Sequence, residues 1–299
     1  MSDNMKNTIK ILQYQMLVPR PDAEGVKDPN MIKTEALLLA ERACQAAKDA
    51  GADMVCLPEM FCCPYETRNF PAYAEYEGGM VWSKCSALAQ EYGLYLSAGS
   101  MPELALESDM GCMPTTHVYN TAYVFDREGR QIAKHRKMHL FDIDVKGGQC
   151  FRESDTLTAG DSVTVFDTEF GKMGLCICYD SRFPELARLM SLEGARMVLV
   201  PAAFNLTTGP AHWELVFRSE AMYNQMYYAA TSPARDMEAG YHAWGHSMIA
   251  DPWGAVTAMM DEKDGYQITE VDLSRVEPVR QQLPMLKQRR TDVYQLRKF

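Results

Sequence analysis

The sequence predicts an α/β fold: two mixed β-sheets packed face to face, with helices on the outside, in one domain. Three observations predict it. The N-terminal third alternates strand, helix, strand, helix, strand. The later part holds three short hairpins, which a purely parallel sheet would not contain. No Ser/Gly-rich or Pro-rich linker and no repeat divides the 299 residues, a length one large domain can occupy.

The elements follow in order. Residues 8–16 alternate, and are apolar enough, to form a strand. Residues 31–50 give the clearest helix. Ile32, Ala36, Leu39, Ala40, Ala43 and Ala47 recur on one face, Lys33, Glu35, Glu41, Arg42, Gln45 and Lys48 fall mostly elsewhere, and Gly51 is a natural stop. Residues 53–57 read as a buried strand, 81–92 as a helix ending at Gly93, and 94–98 as a third strand. Residues 118–125 and 131–136 flank the turn at 126–129. Residues 163–167 and 173–177 flank the turn at 169–172, and 247–250 and 255–260 flank the turn at 251–254. Each turn carries an acid and a glycine, as short hairpins prefer. Helices at 184–193 and 213–225 continue the alternation.

Bulk properties exclude several function classes. A net charge of −10 repels phosphate backbones and argues against a nucleic-acid partner. The most basic run, residues 287–290, is expected to be a solvated or subunit-contacting tail. No stretch approaches the roughly 20 apolar residues of a membrane helix, and the polar N-terminus lacks the apolar core of a secretory signal. Nine irregularly spaced cysteines point to reduced thiols and a cytoplasmic setting.

Three residues stand where chemistry can be done. Cys178 follows the apolar run 173–177, and a helix with Pro184 in its first turn begins soon after. A helix N-terminus facing a thiol can lower its pKa, which suits a nucleophile; a buried Cys acting as a small hydrophobe is the alternative. Glu59 directly follows a buried strand, where burial would raise its pKa toward that of a general base. Lys137, in the basic cluster 135–139, could hold an oxyanion. Other arrangements stay open on this reading. His135, His139, His212 and His246 are candidate partners for a Cys–His triad. Cys176 with Cys178, Cys62 with Cys63, or His135 with His139 could bind metal, but none has the spacing of a full ligand set, so no metal is expected.

Taken together and in order, Leu57-Pro58-Glu59, His135-Arg136-Lys137 and Cys178-Tyr179-Asp180-Ser181-Arg182-Phe183-Pro184-Glu185 resemble the nitrilase superfamily of carbon–nitrogen hydrolases over nearly the whole chain. The resemblance implies a four-layer α-β-β-α sandwich with mixed sheets, a glutamate–lysine–cysteine triad, no cofactor, and assembly into a homodimer or a larger homo-oligomer. The segment of about residues 273–299 would contact a partner subunit. Residues 137–144, 204–214, 232–236, 244–247 and 251–254 look like the ω-amidase branch, which hydrolyses the terminal amide of α-keto acids such as α-ketoglutaramate and α-ketosuccinamate. That likeness implies Glu153 as a second active-site glutamate and the Tyr179 backbone N–H as an oxyanion donor. Arg182 and Thr208 would bind a carboxylate, with Phe204 against the substrate and Tyr65 in the pocket. An ion pair with Glu185 is the structural alternative for Arg182. Residues 104–117 form a longer stretch than is usual for the branch. Rival readings are a nitrilase, an N-carbamoyl-amine hydrolase, an amidase acting on deaminated glutathione, a silent scaffold, and a thiol-based metal or redox protein.

Overall fold

Alternation in the first strand sets up the layers. In strand β1 (Thr8–Gln15), Ile9 and Ile11 pack to one side and Leu12 and Tyr14 to the other, as the period of two in a pleated strand requires. The computed structural model describes residues 5–21, 28–108, 113–146 and 150–298. Helix α1 (Pro29–Asp49) starts where Asp28 accepts a hydrogen bond from the Met31 N–H at 2.9 Å, with Pro29 in the first turn. Then come β2 (Met54–Cys56), the single turn α2 (Phe70–Tyr73), β3 (Glu75–Tyr76) and α3 (Met80–Tyr92). Strands β4 (Tyr95–Glu107), β5 (Thr115–Phe125), β6 (Gln131–Arg136), β7 (Asp142–Asp144), β8 (Cys150–Arg152), β9 (Thr164–Thr168) and β10 (Gly171–Leu175) follow. The chain ends through α4 (Pro184–Leu192), β11 (Met197–Pro201), α5 (Gly209–Asn224), β12 (Tyr227–Thr231), β13 (Met248–Ala250), β14 (Val256–Met259), β15 (Gly265–Asp272) and α6 (Val276–Gln282).

One sheet runs β15-β1-β2-β4-β5-β6, with β3 beside β4; the other runs β14-β13-β12-β11-β10-β9, and β7 pairs with β8 apart from both. Both large sheets are mixed. β1–β2–β4 and β10–β11–β12 are parallel, whereas β5–β6, β9–β10 and β13–β14 are the antiparallel hairpins expected from their turns. Between the sheets, Ile11, Met54, Cys56 and Val124 meet Phe166, Met173, Leu175 and Leu199. Outside the first sheet, Leu12, Val55 and Leu96 pack on α1 and α3 through Ala36, Ala40, Ala43, Val81 and Leu88. Outside the second, α4 and α5 bring Leu186, Met190, Trp213 and Phe217. The result is an α-β-β-α sandwich. A buried amide ties its halves: Gln13 Nε2 donates to Ala230 O at 2.9 Å and to Thr231 Oγ1 at 3.1 Å.

The differences from the sequence reading have physical causes. Lys33 was placed off the apolar face, yet it is buried, because Glu75 of β3 neutralises it at 2.7 Å. The strand expected at 94–98 runs on to Glu107, where backbone pairing with β5 continues after the apolar pattern stops. The helix expected at 213–225 starts at Gly209, with Pro210 in its first turn. Strands β11 and β12 are buried along their whole length, so they show no alternation to read. Of the long stretch 104–117, residues 109–112 lie outside the described residues. Among the described residues, no helix is long and apolar enough to cross a membrane.

Candidate active site

Three strand ends converge on one buried point. Glu59 lies just beyond β2, Lys137 is the first residue after β6, and Cys178 follows β10 by three positions. The loop carrying Glu59 is fastened to a bulge in β4. Leu57 N–H donates to Ser97 O at 3.0 Å, Ser100 N–H to Pro58 O at 3.2 Å, and Met60 N–H to Ser100 Oγ at 3.0 Å. Gly99 at the bulge has φ +58°, and a Cβ there would stand 2.1 Å from Pro58 O, so only glycine lets the loop approach. Lys137 is held on both sides of its backbone, N–H to Asn120 O at 2.8 Å and O from Gly160 N–H at 2.8 Å.

The side chains then meet. Lys137 Nζ lies 3.0 Å from Glu59 Oε1 and 2.9 Å from Glu153 Oε1, and all three residues are fully buried. Burial works against the lysine's charge, but the carboxylates of Glu153 and Glu59 outweigh it and raise its pKa, so the amine stays protonated. Tyr65 bridges the acids, donating toward Glu153 Oε1 at 2.7 Å and Glu59 Oε1 at 3.1 Å. Glu153 sits in the single 3-10 turn Glu153–Asp155, where Phe141 N–H anchors its other oxygen at 2.6 Å.

Cys178 occupies the left-handed region, with φ +46°, at the head of the 3-10 turn Cys178–Arg182. A non-glycine residue in that region is uncommon and marks strain held at a site. Its thiol is buried and interacts with Glu59, Lys137 and the backbone of Ala203. The thiol is raised and not lowered, contrary to the expectation from placement. Desolvation, followed by the Glu59 charge, pushes it well above its ordinary value, because the sulfur is dry. Burial likewise raises Glu59, more than Lys137 lowers it. Glu59 Oε1 is crowded by three donors, while Oε2 has no hydrogen-bond partner among the described residues. Oε2 is therefore the oxygen left for the thiol proton. The Tyr179 N–H belongs to the start of the Cys178 turn, where the first N–H groups have no partner within the turn.

Arg182 does not pair with Glu185. Its Nη1 lies 2.9 Å from His212 Nδ1, and its guanidinium lies 4.3 Å from the centroid of the Phe204 ring. Thr208 precedes α5 and gives its hydroxyl proton to Asn205 Oδ1 at 3.0 Å. A cleft of about 220 Å³ opens onto Glu59, Tyr65, Ala203 and Tyr241.

Comparison with known proteins gives the family. The sequence profile of the family described as carbon-nitrogen hydrolase matches residues 13–281. The chain belongs to the carbon–nitrogen hydrolase family. It is 48% identical to omega-amidase NIT2 of Mus musculus over 256 residues, 85% of this chain and 90% of that protein. It is 47% identical to omega-amidase NIT2 of Homo sapiens over 256 residues, again 85% and 90% of the two chains. The crystal structure of Saccharomyces cerevisiae Nit3, a member of branch 10 of the nitrilase superfamily, superposes with a TM-score of 0.80 at 36% identity, covering 97% of this chain and 99% of that one. This carbon–nitrogen hydrolase falls in the omega-amidase branch of the nitrilase superfamily, and its enzyme class is amidase.

Sequence reasoning missed several residues of the hydrolase's site. Asn120 donates from Nδ2 to Glu59 Oε1 at 2.8 Å while its backbone O holds Lys137; a lone amide inside an apolar strand was the available signal. Tyr241 packs on Tyr65, with ring centroids 4.6 Å apart, and donates to Ala203 O. Asp180 is a buried hub. It accepts from His135 Nε2 at 2.9 Å, His139 Nδ1 at 2.8 Å, and the N–H groups of Ile177 at 3.1 Å and His139 at 2.9 Å. It thereby ties the Cys178 turn to the Lys137 loop. The histidines considered as triad partners go to other tasks: His135 and His139 hold Asp180, His212 holds Arg182, and His246 Nδ1 bonds Trp244 O at 2.9 Å. Among the described residues, no group of three or more His, Cys, Asp and Glu side chains could hold a metal ion.

Proposed function

We propose that the enzyme hydrolyses the terminal amide of small α-keto acid ω-amides, such as α-ketoglutaramate and α-ketosuccinamate, to the dicarboxylate and ammonia. One observation carries the reading: a charged lysine, a base with one open oxygen and a thiol share a buried point, beside an arginine that has no carboxylate partner among the described residues. Glu59 takes the Cys178 proton as sulfur attacks the amide carbon. Lys137 and the Tyr179 N–H stabilise the oxyanion, each such donor contributing about 3–4 kcal/mol at the transition state. Protonated Glu59 then gives its proton to the departing nitrogen, the C–N bond breaks and ammonia leaves. Water loses a proton to Glu59 and attacks the thioester; collapse expels the thiolate, which recovers that proton. Glu153 keeps Lys137 charged and oriented, so the lysine acts as an electrophile and not as a base. Tyr65 and Phe204 bound the substrate, and Arg182 takes its distal carboxylate, joined by Thr208 when its hydroxyl turns away from Asn205 Oδ1.

The same reading makes the protein a single catalytic domain that needs no cofactor. It works in the cytoplasm as a homodimer or larger homo-oligomer, with residues from about 273 onward against the partner. Unpaired thiols at all cysteines among the described residues suit a reducing compartment, and Val293 and Tyr294, 68% and 56% exposed, suit a subunit contact.

An ammonia-release panel tests the substrate: α-ketoglutaramate, α-ketosuccinamate, glutamine, simple nitriles and N-carbamoyl amino acids. The two keto amides should give the highest kcat/KM; preference for a nitrile or a carbamoyl compound overturns the assignment. For the mechanism, Cys178→Ala should be essentially inactive, since it removes the thiol that interacts with Glu59 and Lys137, and activity within about tenfold of wild type would reject it.

A further inference from the structure

Arg182 is a half-buried cation whose bond to the exposed His212 lies at the surface. Burial pushes its pKa down, and the groups that oppose this are the Cys178 thiol and the Tyr179 and Tyr241 hydroxyls. Among the described residues, no carboxylate lies within ion-pair distance of it, and its guanidinium is set between the Phe204 and Tyr179 rings, 4.3 and 5.8 Å from their centroids. Its nearest polar partner is His212, with Nη1 2.9 Å from Nδ1. The roles in that bond follow from chemistry alone. A guanidinium can only donate, so Nδ1 is the acceptor, and the imidazole is neutral with its proton on Nε2. His212 is itself well placed to serve as a fixed point. It lies in the first turn of α5, where its N–H donates to Thr208 O at 2.8 Å, and the adjoining Trp213 is buried with its Nε1–H on His246 O at 2.7 Å.

We propose that His212 is a specificity-determining residue: its neutral Nδ1 holds the Arg182 fork over the Phe204 ring, in the orientation that pairs with the substrate's distal carboxylate. Arginine has a long stem with many rotamers, so an unrestrained guanidinium would lose that freedom each time substrate bound. One bond to His212 removes part of that cost beforehand and leaves the remaining N–H groups for the carboxylate. The role is positioning, exerted through Arg182. It rests on the reading that the substrate carries a distal carboxylate.

The test compares α-ketoglutaramate with the same ω-amide carrying its carboxylate as a methyl ester. His212→Ala should raise KM for the acid about tenfold with kcat within about twofold, and leave the ester's kcat/KM unchanged. His212→Gln, which keeps an acceptor, should recover much of the loss. In an Arg182→Ala background, His212→Ala should have no further effect on the acid, since the bond it supports is gone. A wild-type enzyme that does not prefer the acid overturns the substrate reading. A wild type that prefers it, with Arg182→Ala abolishing the preference and His212→Ala leaving it intact, overturns the role of His212. An equal fall in kcat on both substrates also overturns it, since that is the mark of a general structural role.

Discussion

Glu59 is the side chain whose two ends differ most. Three donors converge on Oε1 while Oε2 has none among the described residues, so charge and proton are directed to separate oxygens. Asn120 supplies one of those donors, and a hydrogen bond to a charged group contributes about 1.5–3 kcal/mol. Asn120→Ala should therefore lower kcat/KM about ten- to a hundredfold, with kcat and not KM carrying the change. The sign of the pH effect follows from the cause of the shift. Desolvation raises Glu59 above the ordinary carboxyl value, and only the ionised form can take the thiol proton. Activity should fall as pH drops through that raised value, above the value of about 4.3 of a free glutamate. A pH–kcat/KM profile that stays flat down to that value contradicts the assignment. Lys137 is shifted upward, so it stays charged through the alkaline range and is not the source of any alkaline decline.

At the level of the elements, the site is built by the connections at strand ends and much less by the strands. The Glu59 loop depends on the bulge in β4, and Gly99→Ala would drive a methyl group into Pro58 O. The expected outcome is a fall in kcat larger than the fall in thermal midpoint, because the displaced segment carries the base. The Asp180 hub joins two such connections. Burial works against its charge, but hydrogen bonds from His135 and His139 hold its pKa well below the ordinary range. Its contribution to stability is present above the unfolded value of about 3.9 and is lost as pH falls through the lower folded value. Asp180→Asn leaves the histidines and backbone donors facing an amide; breaking a buried pair in this way costs about 3–5 kcal/mol, measurable by denaturant unfolding at pH 7, together with loss of activity. These connections also explain what could be read in advance. The helices and the three hairpins were legible because their apolar faces and acid–glycine turns are local signals. Glu59, Lys137 and Cys178 were legible as an ordered set of motifs. Asn120, Asp180 and Tyr241 were not, and His212 stood only as a candidate triad partner, because each acts through a partner distant along the chain that only the folded sheets bring near.

Across the whole molecule, two mixed sheets place β2, β6 and β10 so that their ends open at one point, which is why residues 78 and 41 positions apart can share a proton pathway. The exposed Val293 and Tyr294 belong to the segment proposed to meet a second subunit. Replacing both with Asp should shift sedimentation toward monomer, and an unchanged dimer or larger species would remove that segment from the interface. The central claim concerns the sulfur of Cys178 as the atom that carries the acyl group. Rapid acid quench during turnover of α-ketoglutaramate, followed by intact-mass and peptide mapping, tests it most directly. The account predicts an adduct of the acyl portion on Cys178 alone, absent from Cys178→Ala. Sustained turnover with no adduct on Cys178, or with the adduct on another residue, would contradict it.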